Sequence, residues 1–218
     1  MREDFCKIYL AVPFNFSCPL QFHMKVKQEK PITPEPSAKP RVGISSCLLG
    51  EEVRYDGGHK LHSVIADIIG PKVEWVPVCP EMEMGLGVPR EPLNLVGDPD
   101  GPLLLDSKTG MNWTLEMAEF ARRKIEILKI YSLDGYIFKN KSPSCGIDDV
   151  KVYRDISLGD FVLNGRGAFA NLFLAQFPGL PVTDEGKLST VEDSNRFLQK
   201  VYRHQQNRAT CPLQGRKN

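Results

Sequence analysis

Three cysteines of this chain, Cys47, Cys79 and Cys145, each stand where an apolar run gives way to a polar loop. The runs are RVGIS before Cys47, VEWVPV before Cys79 and GYIFK before the Ser142-Pro143-Ser144-Cys145-Gly146 loop. A thiol placed three times at such a junction, beside Pro, Gly or Ser, has four chemical uses. It can hold an iron–sulfur cluster, where a fourth thiolate would close a 4Fe–4S cube and three leave one iron open. It can hold zinc, with His59 or His62 as a fourth ligand, although structural zinc more often uses CxxC pairs, which are missing here. It can run thiol redox chemistry, which also favours CxxC. Or the three can simply pack as small hydrophobes.

The neighbouring residues widen the chemistry. Glu81 follows Cys79 in a bend fixed by Pro80, and a carboxylate there suits proton transfer, with a helix cap as its plain alternative. Ser142 and Ser144 bracket Pro143; they can bond a bound group or close a turn. Arg54, Tyr55 and Asp56 offer a planar cation, an aromatic face and a carboxylate in one loop, a set that suits a flat heterocycle; a salt-bridged loop is the default reading. Arg90 and Lys139 share this dual character as candidate substrate contacts. Gly85-Leu86-Gly87 is no nucleotide fingerprint, since GxGxxG opening a helix is absent.

These residues need elements that bring them together. The run from Arg41 to Cys47, with Val42 and Ile44, and Val73–Val78, Gly135–Lys139 and Leu180–Val182 read as short buried strands. Between them lie helical patterns: Leu61 to Ile69, stopped by Gly70-Pro71; Trp113–Tyr131, with a stripe of Leu115, Ala118, Ala121, Ile125 and Leu128; Gly167–Phe177; and Thr190–Gln205 with Phe197, Leu198 and Val201 inward. The Gly- and Pro-rich stretch Pro80–Asn112 reads as a long functional loop holding a hairpin of Leu93–Val96 and Leu103–Leu105. Val150–Tyr153 is a further short strand. The order predicts an α/β fold: a single open, mostly parallel, Rossmann-like sheet flanked by helices. Right-handed crossovers then put all the strand ends on one rim, where such sheets bind ligands.

Composition sets bounds. The chain has 218 residues, 41% hydrophobic and 25% charged, with a formal net charge of +1. That balance gives no global field for nucleic acid or an anionic membrane, and no apolar run nears the roughly 18 residues of a membrane span. Residues 1–40, ending in the proline-rich QEKPITPEPSAKP, read as a disordered extension and linker; residues 41–205 as the folded domain; residues 206–218 as a flexible tail. Of the six cysteines, Cys6, Cys18 and Cys211 fall outside that domain. Three thiols at one rim leave one unpaired by any disulfide, so a reducing, cytoplasmic setting is expected; the N-terminal extension leaves an organelle open.

Three motifs, ISSCLLGEEVRYDGG, VPVCPEMEMGLGVPREP and SPSCG, resemble in order and spacing those of the 2-thiouracil desulfidase family, over about Arg41 to Val201. The resemblance implies a 4Fe–4S cluster held by Cys47, Cys79 and Cys145 as metal ligands, with one iron open. It implies an iron–sulfur-dependent enzyme that removes sulfur from a thionated nucleobase without redox change, turning C=S into C=O and releasing sulfide. Glu81 would deprotonate the attacking water, and Ser142 matches in position a family serine placed near the substrate. Arg54, Tyr55, Asp56, Arg90, Lys139 and Ser144 would line the substrate site. The implied partners are a small thionated base or nucleoside and the machinery that assembles clusters, with no membrane. Some relatives act on thiolated tRNA through a further helical domain; nothing here supplies it, although a thiolated RNA stays open as a substrate. The competing reading is a metal- or sulfur-binding module, a structural zinc or cluster domain that turns nothing over.

Overall fold

The computed structural model describes residues 38–210. The expectations for residues 1–37 and 211–218, including Cys6, Cys18 and Cys211, lie outside them.

Four strands make the central sheet: β1 (Arg41–Ser45), β2 (Glu74–Val78), β5 (Gly135–Phe138) and β8 (Val182–Asp184). They run in the order β2-β1-β5-β8, and every neighbouring pair is parallel. Parallel strands need both faces covered, and these read as near-continuous apolar runs for that reason. One face packs Val42, Ile44 and Ile137 against Ile65, Ile69, Phe197, Leu198 and Val201. The other packs Val76, Val78, Tyr136 and Phe138 against α2 (Thr114–Tyr131), α3 (Ala168–Gln176) and the second sheet. Gly43 is needed in β1 because Tyr136 lies directly against it: a Cβ there would come within 2.3 Å of the ring. β2 is an edge strand containing Pro77, and β8 is a three-residue edge on the other side.

A second sheet sits beside the first. The expected hairpin is present in it as β3 (Leu93–Val96) and β4 (Leu103–Asp106), paired antiparallel. β6 (Val150–Asp155) joins β3 in parallel and turns back into β7 (Asp160–Gly165), which gives the order β4-β3-β6-β7. β7 is not among the expected strands, because its pattern is mostly exposed and carries no buried alternation. The sheet layer is therefore two sheets, not one.

The helices depart from expectation in instructive ways. Before β2 the chain makes a short π-helical turn, Ile65–Ile69, then a 3-10 turn, Gly70–Lys72; Leu61 is exposed. In α2, Met117, Phe120, Ala121, Ile125 and Leu128 are buried, whereas Leu115 is exposed. The stripe thus starts later than its first leucine. The last helix, α4 (Val191–Thr210), continues past Gln205. Arg208 there donates two hydrogen bonds to Oδ1 of the fully buried Asp134, at 3.1 and 2.8 Å, and Asp134 Oδ2 accepts from the Arg41 amide at 3.1 Å. Among the described residues no helix is long and apolar enough to cross a membrane.

Candidate active site

The C-terminal ends of β1, β2 and β5 open onto one cavity of about 350 Å³. Cys47, Cys79 and Cys145 all line it, together with Arg54, Tyr55, Glu81, Arg90, Lys139 and Ser142. Each cysteine is delivered by a different local device.

Cys47 lies in a 3-10 turn, Ser46–Leu49, that continues β1 and ends at Gly50 in the left-handed region, φ 91°. Its carbonyl accepts from the Lys60 amide at 2.8 Å, which ties the end of the Arg54–Gly58 loop to the turn.

Cys79 stands at the N-terminal end of a single helical turn, α1 (Pro80–Glu83). Pro80 suits the first helical position, where no amide is needed. The Glu83 carboxylate reaches back to accept from the Cys79 amide at 3.0 Å and pairs with Lys124 of α2 at 2.7 Å. The Cys79 thiol donates to the Val53 carbonyl at 3.8 Å.

Cys145 is fixed by the start of α3. The amides of Gly167, Ala168, Phe169 and Ala170 donate to the carbonyls of Gly146, Pro143, Ser144 and Ser144. The SPSCG loop is therefore the N-terminal cap of α3, and it meets the orphan donors of that helix. Gly167 permits this contact: a Cβ would lie 2.5 Å from the Ser144 carbonyl carbon. Ser142 Oγ accepts from the amides of Ser144 and Cys145 at 3.2 and 3.1 Å. This is the turn-closing role, and it uses both lone pairs of the hydroxyl, so the O–H of Ser142 is left as a donor on the cavity wall.

Glu81 is clamped. Its Oε1 accepts from Ser144 Oγ at 2.8 Å; its Oε2 accepts from Arg90 Nε at 2.9 Å, with Nη2 at 2.7 Å. Arg90 is itself held by the carbonyls of Gly87 and Val53, at 2.8 and 2.9 Å. Ser144 is fully buried and does not line the cavity; it stands behind Glu81, and its expected place as a substrate contact gives way to that contact. Asp56 also falls outside the wall. It is spent within its own loop, accepting from the Gly58 amide at 3.1 Å and pairing with Arg54 at 3.3 Å. Those two partners, the amide first, hold its carboxyl below the usual range. Arg54 stacks over the Tyr55 ring at 5.3 Å, so cation and aromatic face do share one wall.

A second cluster joins the ends of β5 and β8, elements that the open-sheet order brings to one rim, in a pairing that the sequence does not give. Lys139 pairs with the buried Glu185 just after β8, and its Nζ also donates to Asn140 Oδ1 at 2.7 Å. Glu185 accepts in addition from the Asn140 amide at 2.7 Å. Ser45 Oγ accepts from the Lys139 amide at 2.9 Å. The only signal for it in the sequence is the placement of residues 183–185 at a strand end.

The thiols bear on what the cavity can hold. Burial first pushes Cys47 up to about 11, with Lys139 opposing it. Burial also raises Cys79. Cys145 is pushed well above the usual thiol range by burial, then by charge on Cys79 and Glu81. Two buried thiols and one half-buried thiol that resist ionising together are expected to become thiolates only beside a bound positive centre. Among the described residues no three His, Cys, Asp or Glu side chains meet closely enough to hold a single metal ion. A tetrahedral zinc with sulfur bonds of about 2.3 Å draws its sulfurs to within ~4 Å of one another. A multi-iron cube takes one thiolate per iron, and the three thiols that line this one cavity are the residues that would hold it.

The chain is similar to known proteins. Over 108 residues the chain is 32% identical to the uncharacterized protein YbbK of Bacillus subtilis (strain 168), covering 47% of this chain and 71% of that protein. The solved structure of the 4Fe-4S-dependent thiouracil desulfidase TudS superposes with a TM-score of 0.58 at 27% identity, over 72% of this chain and 99% of that one. The family model described as 2-thiouracil desulfurase matches residues 42–185, from the first strand to the residue that holds Lys139. Fold, rim and thiols thus meet in one assignment: the chain belongs to the 2-thiouracil desulfurase family.

Proposed function

We propose that this enzyme removes sulfur from a thionated nucleobase, with a 4Fe–4S cluster held by Cys47, Cys79 and Cys145 through three of its irons. The observation that carries the reading is the opening of three free thiols and a clamped carboxylate onto one cavity at the rim of a parallel sheet. When bound, the cluster supplies an open iron as a Lewis acid for the soft thione sulfur. The chain's own residues do the rest. The Arg54–Tyr55 wall offers a flat face and a planar cation to the heterocycle. The Ser142 hydroxyl donates to an edge of the base. Glu81 has four lone-pair sites; Ser144 takes one and Arg90 two. The remaining site on Oε1 orients a water toward the thiocarbonyl carbon and takes its proton. Oxygen from water replaces sulfur, so C=S and water give C=O and hydrogen sulfide with no change of oxidation state. The substrate is a free base or nucleoside, and three reduced thiols suit the cytoplasm.

The test is anaerobic iron–sulfide reconstitution followed by an assay with 2-thiouracil. The expected outcome is a brown protein with broad absorption near ~400 nm that releases uracil and sulfide in equal amounts. Stoichiometric zinc in a colourless protein defeats the reading. A loaded protein that binds sulfide but leaves 2-thiouracil intact favours the binding module instead.

A further inference from the structure

Asn140 lines the same cavity as the three thiols, and its side chain is held in one orientation. The Lys139 ammonium donates to Asn140 Oδ1 at 2.7 Å. An ammonium has only donors, so the oxygen of the carboxamide has to face it and the NH2 has to face away. The ammonium is itself fixed. Its three hydrogens meet three acceptors: Glu185 Oε1, Asn140 Oδ1 and the Asn140 carbonyl at 3.0 Å. Glu185 Oε2 accepts in turn from the Asn140 amide at 2.7 Å, which closes the unit on the backbone of the same residue. Gly186 leaves the space that the NH2 needs: a Cβ there would lie 2.6 Å from Asn140 Nδ2. Among the described residues Nδ2 donates to no acceptor, yet it is not sealed from solvent.

A fixed, unpaired donor on the wall of a binding cavity selects for an acceptor. The N–H groups of Lys139 are spent within the chain, so the donor that this wall offers is the carboxamide. We propose that Asn140 is a specificity-determining residue: its NH2 donates to the carbonyl oxygen that the thionated base retains, with Lys139 and Glu185 as positioning residues. This rests on the nucleobase reading given above. The substrate class then narrows to uracil-type bases, which carry an oxo group in addition to the thione. A cytosine-type base carries an amino group at the ring position of that oxygen. It would set two donors against each other and leave both without an acceptor.

The experiment uses anaerobically reconstituted protein, wild type and Asn140→Asp. Aspartate keeps the oxygen that Lys139 holds and turns the NH2 into a second acceptor. Calorimetry gives the affinity for uracil and for cytosine, which needs no turnover; kinetics give kcat/KM for 2-thiouracil and for 2-thiocytosine. Wild type is expected to favour the uracil-type member of each pair by ~10-fold or more, the scale of one hydrogen bond. Asn140→Asp is expected to reverse that preference, and Asn140→Ala to treat the two bases alike. Equal affinity of wild type for both bases overturns the inference and leaves the desulfidase reading standing. So does a wild-type preference that survives in both variants. Protein that prefers uracil and loses the preference on substitution, yet leaves 2-thiouracil intact, keeps the donor and defeats the desulfidase reading. Protein that binds neither base overturns both.

Discussion

Glu81 shares its two carboxylate oxygens between Ser144 and Arg90, with side chains 15% exposed for the acid and 7% for the arginine. An ion pair this enclosed is costly to break from one side. Glu81→Gln keeps the shape and removes the charge. It is expected to retain the cluster by absorbance and iron content, yet to lose ~100-fold or more in turnover, the scale of a positioned proton-transfer group. Unchanged turnover takes Glu81 out of the mechanism. Ser144→Ala leaves the base charged but loosely aimed; turnover falls ~10-fold with a stability loss of about 1 kcal/mol, read by denaturant titration beside kinetics. These roles are only partly legible in the sequence. Glu81 stands out because Pro80 fixes its bend beside a cysteine. Two serines around one proline look alike in sequence, and only the path of the chain through the loop decides that Ser142 lines the cavity while Ser144 stands behind Glu81.

The loop that presents Cys145 and the start of α3 form one unit, since the first amides of the helix end on loop carbonyls. Gly167 sits at their closest approach. Gly167→Ala forces loop and helix apart and is expected to lower stability by about 1–3 kcal/mol, the cost of overpacking. Chemical denaturation measures it, and the reconstituted variant is expected to hold substoichiometric iron. A variant as stable and as fully loaded as wild type removes this unit from the account. At this scale the strands of the central sheet are readable, because parallel strands buried on both faces must be apolar runs. β7 is not, since its residues are mostly exposed and its pairing is set by β6 rather than by a core face. In α2 the first leucine is exposed instead of buried, because the β4–α2 connection sets where the stripe meets the core, and helical spacing alone does not carry that information.

For the whole molecule, metal and acidity act on one balance. The metal-free fold keeps Cys47 protonated up to about pH 11, whereas an ordinary thiol ionises near 9.0. Between those values the native state holds a proton that the unfolded chain gives up. Stability from this group is fully present below the ordinary thiol value and falls as pH rises through the folded one, a change on the order of 3 kcal/mol. Thermal melts of metal-free protein from about pH 8 to about pH 11 are expected to shift downward accordingly. Cluster-loaded protein, its thiols already ionised, is expected to lack that slope, and a flat profile for the metal-free form refutes the account. The two rims of the central sheet have a different significance. Pro77 takes one donor out of the β2 edge, and β8 is only three residues long. Among the described residues, both sides thus offer an incoming strand a short or interrupted row of backbone groups. Growth of aggregates by strand addition is expected to begin instead at β7, the six-residue, mostly exposed edge of the smaller sheet.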